Sequence, residues 1–460
     1  MKRHIAFSVF LAFSVFLIFS CEEKNGPEII YEQGQWVKDA RSTAYFSIYP
    51  DELFPGVILQ TEGVKRLYAD SPFVQANFTE DLLMDIVNPG EGAEISLKMH
   101  GSDICNEIEC SYEVAAGDTA QVLVLQVPVD WDYNTLLEWD FDRNVKLSWE
   151  VAIDGQHVQT FTKQFICRTL RSFIGSLMIE KNLPENAVIV EMLHNPEVVG
   201  SFPVTENDKT MNMHLSALLA GLIDETSPLI ERLKGEVIED GYVDKLTGMA
   251  GYSEEELLQN VDAYNYLMQK YNIHYATRSA GNAVQYLRTI DEIFENHNGY
   301  CAELGIAFVS WCLNLGVKCT FEAVPRHLTT SVYLPFAAID PSTIEYPFDT
   351  TVSASLMSDY GAVFSTPPTE AEFQESRDFF ELVRYNSELR EEKYEADMLV
   401  DSLLYYKFNP ASLRRFLPSF NIGARDYMKT RAAVAVKSVR AASNPLWTGG
   451  TSPVLEPVVF

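Results

Sequence analysis

The feature that most constrains the fold of this chain is a change in hydrophobic period near residue 174. Before that point apolar residues alternate with polar ones, as in 145–153, and Asp154-Gly155 follows as a hairpin-turn dipeptide. Beyond it, apolar residues recur every three or four positions, as in helices that bury one face. The pattern predicts an α+β chain, with a β-sandwich at 36–173 and a mixed α+β domain at 174–406.

Helix-start patterns set the order of elements in the second domain. Ser253-Glu254-Glu255-Glu256 and Thr289-Ile290-Asp291-Glu292 are capping boxes, and each is expected to open a helix. A further helix is expected to begin at Cys301 and to stop at Gly316. The elements expected after it are strands at 317–324, 328–334 and 337–339, and an acidic helix at 370–403.

Cys301 is the candidate nucleophile, because it stands at the start of an apolar helix. Unpaired backbone N–H groups and the positive end of the helix dipole favour a thiolate there, and the thiolate is the nucleophilic form of cysteine. His327 and Asp340 follow along the chain, in the order found in one class of thiol acyl-transfer sites. The alternative is that Cys301 is a small buried hydrophobic residue, as most free cysteines are.

The N-terminus predicts export and a lipid anchor. A basic start precedes an apolar run at 5–19, which is the pattern of a signal peptide at 1–20. The stretch 17–21 resembles the lipobox of bacterial lipoproteins, which makes Cys21 the expected lipidated residue and 21–35 a tether. An ordinary signal peptide with an incidental cysteine is the alternative. The expected location is the bacterial cell envelope, as an outer-membrane lipoprotein that is periplasmic or surface-exposed.

The charge distribution argues against one class of partner. The chain has 35 Lys and Arg against 65 Asp and Glu, a net charge of −30, and so acidic a surface repels phosphate backbones. We therefore expect no nucleic-acid partner. The segment 407–460 differs, because its basic residues outnumber its two acidic ones, Asp426 and Glu456. We predict that it is a basic C-terminal extension, partly disordered.

Several segments resemble the transglutaminase-like superfamily, and within it a subgroup of bacterial surface proteins. They are Val284-Gln285-Tyr286-Leu287-Arg288-Thr289, Gly299-Tyr300-Cys301-Ala302-Glu303, Leu315-Gly316-Val317-Lys318-Cys319, Pro325-Arg326-His327 and Ile339-Asp340-Pro341-Ser342. The resemblance, which spans about 228–349, implies a papain-like domain with Cys301, His327 and Asp340 as a catalytic triad. Gln285 is a candidate oxyanion donor, and a structural role for it is the alternative.

The resemblance implies a lipid-anchored, extracytoplasmic thiol enzyme. Cys301 is expected to attack a peptide or isopeptide amide of a peptide or protein substrate, and to pass the acyl group to water or to an amine. No cofactor and no metal are expected. A zinc site of His297, Cys312, Cys319 and His327 is an alternative, although their spacing lacks a tight Cys-x-x-Cys or His-x-x-x-His pair. The other function class is a non-catalytic surface module, with a degenerate domain that binds a protein or glycan.

Lipidation at Cys21 can be tested by detergent phase separation. We expect Cys21→Ala to move the protein from the detergent phase to the aqueous phase, because the variant lacks the residue that carries the acyl chains. Cys301→Ala keeps Cys21 and is expected to stay in the detergent phase. Equal partitioning of the wild type and Cys21→Ala would contradict the lipoprotein interpretation.

Overall fold

The structure is a computed structural model of the chain. It describes residues 44–45, 52–63, 82–114, 121–173, 176–180, 198–199, 210–246, 253–276, 284–333, 345–401, 406–417 and 455–457, with short gaps inside these ranges. The predicted signal peptide, Cys21, the tether and Asp340 lie outside the described residues, as does the predicted strand at 337–339.

The first region is built almost entirely from strands. Its elements are β1 (Ala44–Tyr45), β2 (Glu52–Leu53), α1 (Pro55–Leu59), β3 (Leu82–Asn88), β4 (Ala93–Met99), β5 (Ile108–Val114), β6 (Gln121–Val127), β7 (Arg143–Ile153) and β8 (Gln156–Cys167). Strands β2, β8, β7, β4 and β5 form one sheet in that order, and β1, β3 and β6 form another. The β2–β8 pair is parallel, and the other pairs of these two sheets are antiparallel.

The hairpin predicted at Asp154-Gly155 is confirmed. These two residues join β7 to β8 with positive φ values of 49° and 75°. Positive φ at both central residues belongs to a type I′ turn, whose twist matches that of paired strands, and glycine adopts it without steric cost. The alternation in 145–153 is also confirmed, since Leu147 and Trp149 are both fully buried on one face of β7.

The second region mixes helices and strands, so the chain belongs to the α+β class. It begins with β9 (Ser172–Phe173), β10 (Ser176–Glu180), β11 (Val198–Val199), β12 (Thr210–His214), a 3-10 helix (Ser216–Leu222), α2 (Pro228–Glu239), α3 (Glu254–Lys270), β13 (His274–Tyr275), β14 (Gln285–Tyr286), α4 (Ile290–Asn296) and β15 (Asn298–Gly299). It continues with α5 (Cys301–Asn314), β16 (Lys318–Val324), β17 (His327–Tyr333), β18 (Glu345–Pro347), α6 (Thr350–Tyr360), α7 (Glu370–Asp401), β19 (Tyr406–Phe408), α8 (Pro410–Leu413) and β20 (Leu455–Pro457). Among the described residues, no helix combines the length and the apolar character needed to cross a membrane.

The buried apolar side chains of the described residues form two clusters. The first cluster contains side chains from both sheets of the first region, among them Leu82, Leu97 and Trp149. The second cluster is formed mainly by residues from 217 to 417, and α1 also contributes Val57 to it. Because each large apolar side chain contributes about 1.5–3 kcal/mol when it is buried, both regions have a substantial core.

The second region contains a five-stranded sheet on which helix α5 packs. Its strand order is β11, β19, β16, β17 and β18. Helix α5 packs on β16 and β17, and helix α6 packs on α5. The Trp311 indole N–H of α5 donates to the carbonyl oxygen of Asn260 in α3 at 3.1 Å, so the buried indole has its hydrogen-bond partner.

The two predicted capping boxes are confirmed at the starts of α3 and α4. The Glu256 N–H donates to Ser253 Oγ at 3.2 Å, and the Ser253 N–H donates to the Glu256 carboxylate at 2.9 Å. Thr289 and Glu292 repeat the same exchange at 3.4 and 2.8 Å. Each box gives partners to N–H groups that the first turn of a helix leaves unpaired.

A buried ion pair fixes the start of α5. Glu303 is 2% exposed, and its carboxylate accepts hydrogen bonds from Arg288 Nε at 2.9 Å and Arg288 Nη2 at 2.7 Å. The Tyr300 N–H donates to the same carboxylate at 3.2 Å, and Arg288 Nη1 donates to Asn298 Oδ1 at 2.8 Å. The helix start predicted at Cys301 is confirmed, and this network holds the turn that precedes it.

The first part of the predicted extension at 407–460 belongs to the second cluster. Strand β19 pairs with β16 inside the five-stranded sheet. Phe408, Leu413 and Leu417 are each buried to 1% exposure or less. Strand β20 pairs with β10, and the rest of the extension after Leu417 lies outside the described residues.

The ion pair at the start of α5 can be tested by removing its acid. We expect Glu303→Ala to lower the free energy of unfolding by about 3 kcal/mol, measured by urea denaturation, because Arg288 keeps its charge and loses its buried partner. Glu381→Ala is the matched control, since it removes an exposed carboxylate 3.4 Å from Arg384 and is expected to cost less than about 1 kcal/mol. Similar losses in the two variants would contradict this role of Glu303.

Candidate active site

Helix α5 and strand β17 bring Cys301 and His327 together. Each is the first residue of its element. One turn after Cys301, Gly305 lies against β17, where a Cβ atom would stand 2.9 Å from Leu328 Cδ2. Because glycine lacks that atom, α5 approaches β17 closely at this point. Cys301 then lies close enough to the His327 ring to help raise its pKa.

The other side of the His327 ring bonds a carboxylate. His327 Nε2 lies 2.8 Å from Asp349 Oδ2, and the two side chains are only 7% and 2% exposed. Because Asp349 occupies Nε2, Nδ1 is the nitrogen left for Cys301. Asp349 is the N-cap residue of α6, and its Oδ1 accepts the Thr351 N–H at 2.8 Å. This helix start favours an ionised carboxylate.

These contacts raise the pKa of the imidazole. Burial alone would lower the pKa of His327, but the charge and hydrogen bond of Asp349 outweigh burial, and Cys301 adds to their effect. The pKa of His327 rises from 6.5 to about 9. His327 is therefore an imidazolium at neutral pH, and it can stabilise a neighbouring thiolate.

Asp349 is the ionised partner of this imidazolium. Burial alone would raise the pKa of Asp349, but the positive charges of His327 and Arg390 and the hydrogen bond from Thr351 hold that pKa below its usual value. The carboxylate therefore stays negative at neutral pH although it is buried, because its charge is compensated from several sides.

Two tyrosines and an arginine surround the pair. Arg390 Nη1 of α7 lies 3.2 Å from Asp349 Oδ2. The Tyr394 ring, one turn further along α7, has its centroid 5.8 Å from that of His327. Tyr275 lies in β13, which pairs with β15 just before α5 begins. Burial raises the pKa of both tyrosines, that of Tyr394 to about 12, so both phenols are neutral at pH 7.

The residues predicted for the site fall into two groups. The structure brings Cys301 and His327 together. Asp340 and Cys21 lie outside the described residues, so their roles stay predictions. Gln285 is half-buried in β14, which pairs with β9, and its role as an oxyanion donor also stays a prediction.

Asp349 and Arg390 are absent from the residues predicted from the sequence. The resemblance assigns the carboxylate beside His327 to Asp340, whereas Nε2 bonds Asp349, and a ring nitrogen carries only one N–H to donate. A sequence signal for Asp349 exists, since Asp349-Thr350-Thr351 is an N-cap pattern. No local pattern points to Arg390, because its contact depends on how α7 crosses the site.

The alternative zinc site does not form among the described residues. In that part of the chain no group of three or more His, Cys, Asp and Glu side chains could hold a metal ion. His297 Nδ1 instead lies 2.7 Å from the carbonyl oxygen of Tyr271. Cys312 and Cys319 are both buried in the core, and burial, followed by the neighbouring Cys319, raises the pKa of Cys312 well above the usual value of a thiol. Cys301 differs from these thiols, because it is partly exposed.

Comparisons with known proteins give no family for this chain. No protein-family model, no curated protein and no solved structure matches it. What the protein does is therefore inferred from the residues of the site and their geometry.

The identity of the carboxylate partner can be tested by comparing two aspartates. We expect Asp349→Asn to slow the alkylation of Cys301 by iodoacetamide at pH 7 about tenfold or more, because it removes the charge that holds the proton on His327. Asp340→Asn is the matched control and is expected to keep the wild-type rate. Mass spectrometry of the Cys301 peptide measures both rates. Slowing in Asp340→Asn alone would assign the role to Asp340.

Proposed function

We propose that this protein is a thiol acyl-transfer enzyme of transglutaminase-like type, with Cys301 as its nucleophile. The observation that carries the proposal is the continuous arrangement of Cys301, His327 and Asp349, with the pKa of His327 raised to about 9. A buried imidazolium next to a partly exposed thiol at a helix start is a known way to produce a reactive thiolate. Asp349 takes the role that the resemblance gave to Asp340.

The chemistry follows from the positions of these groups. The Cys301 thiolate attacks the carbonyl carbon of an amide, and the C–N bond breaks as His327 gives its proton to the leaving amine. A thioester on Cys301 remains. Neutral His327 then takes a proton from water or from a primary amine, which attacks the thioester and releases Cys301. Asp349 keeps the imidazole in one orientation and stabilises its charged form.

The start of α5 also supplies a donor for the oxyanion. Cys301 is the first residue of the helix, so its backbone N–H has no acceptor within the helix. A carbonyl oxygen that becomes negative during attack at the thiol would lie close to this N–H. Gln285 stays the proposed second donor.

The finer architecture belongs to the same proposal. We propose that the two sheets of the first region form a β-sandwich, because Leu82 of one and Trp149 of the other share a buried cluster. We propose a papain-like arrangement for the second region, because a cysteine at a helix start meets a histidine at the start of a neighbouring strand. Lipidation at Cys21 and a location in the bacterial envelope are supported by the sequence pattern.

The substrate class follows from the chemistry of a thiolate paired with an imidazolium. Such a pair suits amides, because the leaving amine needs a proton and His327 has one to give. We therefore propose a peptide or isopeptide amide of a peptide or protein as the acyl donor. Water as the acceptor makes the enzyme an amidohydrolase, and a primary amine makes it a cross-linking acyltransferase.

A screen with labelled peptides and a labelled primary amine tests this function. We expect the full chain to release labelled fragments or to incorporate the amine, and Cys301→Ser to lower either rate about a thousandfold or more. Cys110→Ser is the matched control, because Cys110 is also a partly exposed cysteine but lies in β5 of the first region. It is expected to keep the wild-type rate.

The screen also separates a thiol enzyme from a non-catalytic module, and for an enzyme it identifies the acyl acceptor. Fragment release without amine incorporation identifies a hydrolase, and the reverse result identifies an acyltransferase. If neither reaction occurs and Cys301 reacts with iodoacetamide no faster than Cys110, the protein is a non-catalytic module.

A further inference from the structure

Helix α7 contributes three side chains that contact the His327–Asp349 pair or lie against it. They are Ser387, Arg390 and Tyr394, whose spacing of three and four residues places them on one face of the helix. The backbone N–H of Asp349 donates to Ser387 Oγ at 3.1 Å. Helix α7 therefore holds both the main chain and the side chain of Asp349.

Arg390 forms an ion pair with the same carboxylate oxygen that bonds the imidazole. Its Nη1 lies 3.2 Å from Asp349 Oδ2, and His327 Nε2 lies 2.8 Å from that atom. The hydrogen bond with His327 and the ion pair with Arg390 hold this oxygen in place together, because a rotation of the carboxylate would weaken both. The Thr351 N–H on Oδ1 is the third restraint.

The guanidinium group is itself held in place. Arg390 Nε donates to Tyr394 Oη at 2.9 Å, and the guanidinium carbon lies 5.9 Å from the centroid of the Tyr394 ring. Tyr394 in turn lies beside the His327 ring. Asp349, Arg390, Tyr394 and His327 therefore form a ring of contacts, in which each side chain contacts the next and His327 contacts Asp349.

We propose that Arg390 is a positioning residue for the Cys301 site, which fixes the Asp349 carboxylate on Nε2 of His327. This inference rests on the proposed function. Arg390 does not reach the reacting atoms in this role and acts through Asp349. When Arg390 is absent, the carboxylate can leave His327, and the imidazolium that stabilises the Cys301 thiolate becomes less favourable.

The exposure of Arg390 makes a rescue experiment possible. Its side chain is 34% exposed, so its removal leaves a cavity that opens to solvent beside the Asp349 carboxylate. A guanidinium ion added to the solution carries the same planar donors and can enter this cavity. We expect Arg390→Ala to slow the alkylation of Cys301 at pH 7 about tenfold, and millimolar guanidinium to restore part of the rate.

Two further variants make the test specific. Arg390→Lys keeps the charge and one donor, so it is expected to lose less of the rate than Arg390→Ala. Arg384→Ala is the matched control, because Arg384 lies on the same helix with 33% exposure and pairs with exposed Glu381 and Glu388. Arg384→Ala is expected to keep the wild-type rate and to show no response to guanidinium.

The outcomes separate this inference from the proposed function. Wild-type Cys301 that reacts no faster than Cys110 would count against the proposed function itself. Fast wild-type Cys301 with the same rate in Arg390→Ala, or a reduced rate that guanidinium does not restore while the thermal transition stays unchanged, would overturn the role of Arg390. If Arg390→Ala fails to fold, Arg390→Lys decides, and a rate equal to that of the wild type overturns the proposal.

Discussion

The candidate site depends on the close approach of helix α5 to strand β17. Gly305 permits this approach, since a Cβ atom there would stand 2.9 Å from the Leu328 side chain. Cys301 lies one turn before Gly305, and His327 lies one residue before Leu328, so the same packing contact sets the distance between thiol and imidazole. The ion pair of Glu303 with Arg288 fixes the start of α5 in addition. The geometry of the site is therefore a consequence of core packing.

The second requirement of the site is a carboxylate that stays charged while it is buried. The Asp349 side chain is 2% exposed, and an isolated charge at such a position would cost several kcal/mol. The start of α6, the imidazolium of His327 and the guanidinium of Arg390 compensate this cost together. These groups come from different elements, so the pair forms only when β17, α6 and α7 have packed. The proposed chemistry needs the charged His327–Asp349 pair, and that pair therefore depends on correct folding around Asp349.

Local signals in the sequence predict much of the fold and part of the site. The hairpin at Asp154-Gly155, the capping boxes at Ser253 and Thr289 and the helix start at Cys301 each depend on a few neighbouring residues, and the structure confirms them. The contacts of Asp349 and Arg390 join residues 22 and 41 positions apart along the chain, and no local period encodes them. The position of Phe408 could not be predicted locally either. The composition of 407–460 predicts an extension, whereas Phe408 lies in the core because β19 pairs with β16.

The central claim is that His327 is an imidazolium at neutral pH because it lies between Asp349 and Cys301. An NMR titration of the imidazole nitrogens tests it most directly, since the chain has eight histidines and the signal of His327 is identified by its loss in His327→Gln. The account predicts that this signal titrates near pH 9 in the wild type. It also predicts a lower value in Asp349→Asn, because the negative charge is removed. Titration of His327 in the wild type near the ordinary value of about 6.5 would contradict the account.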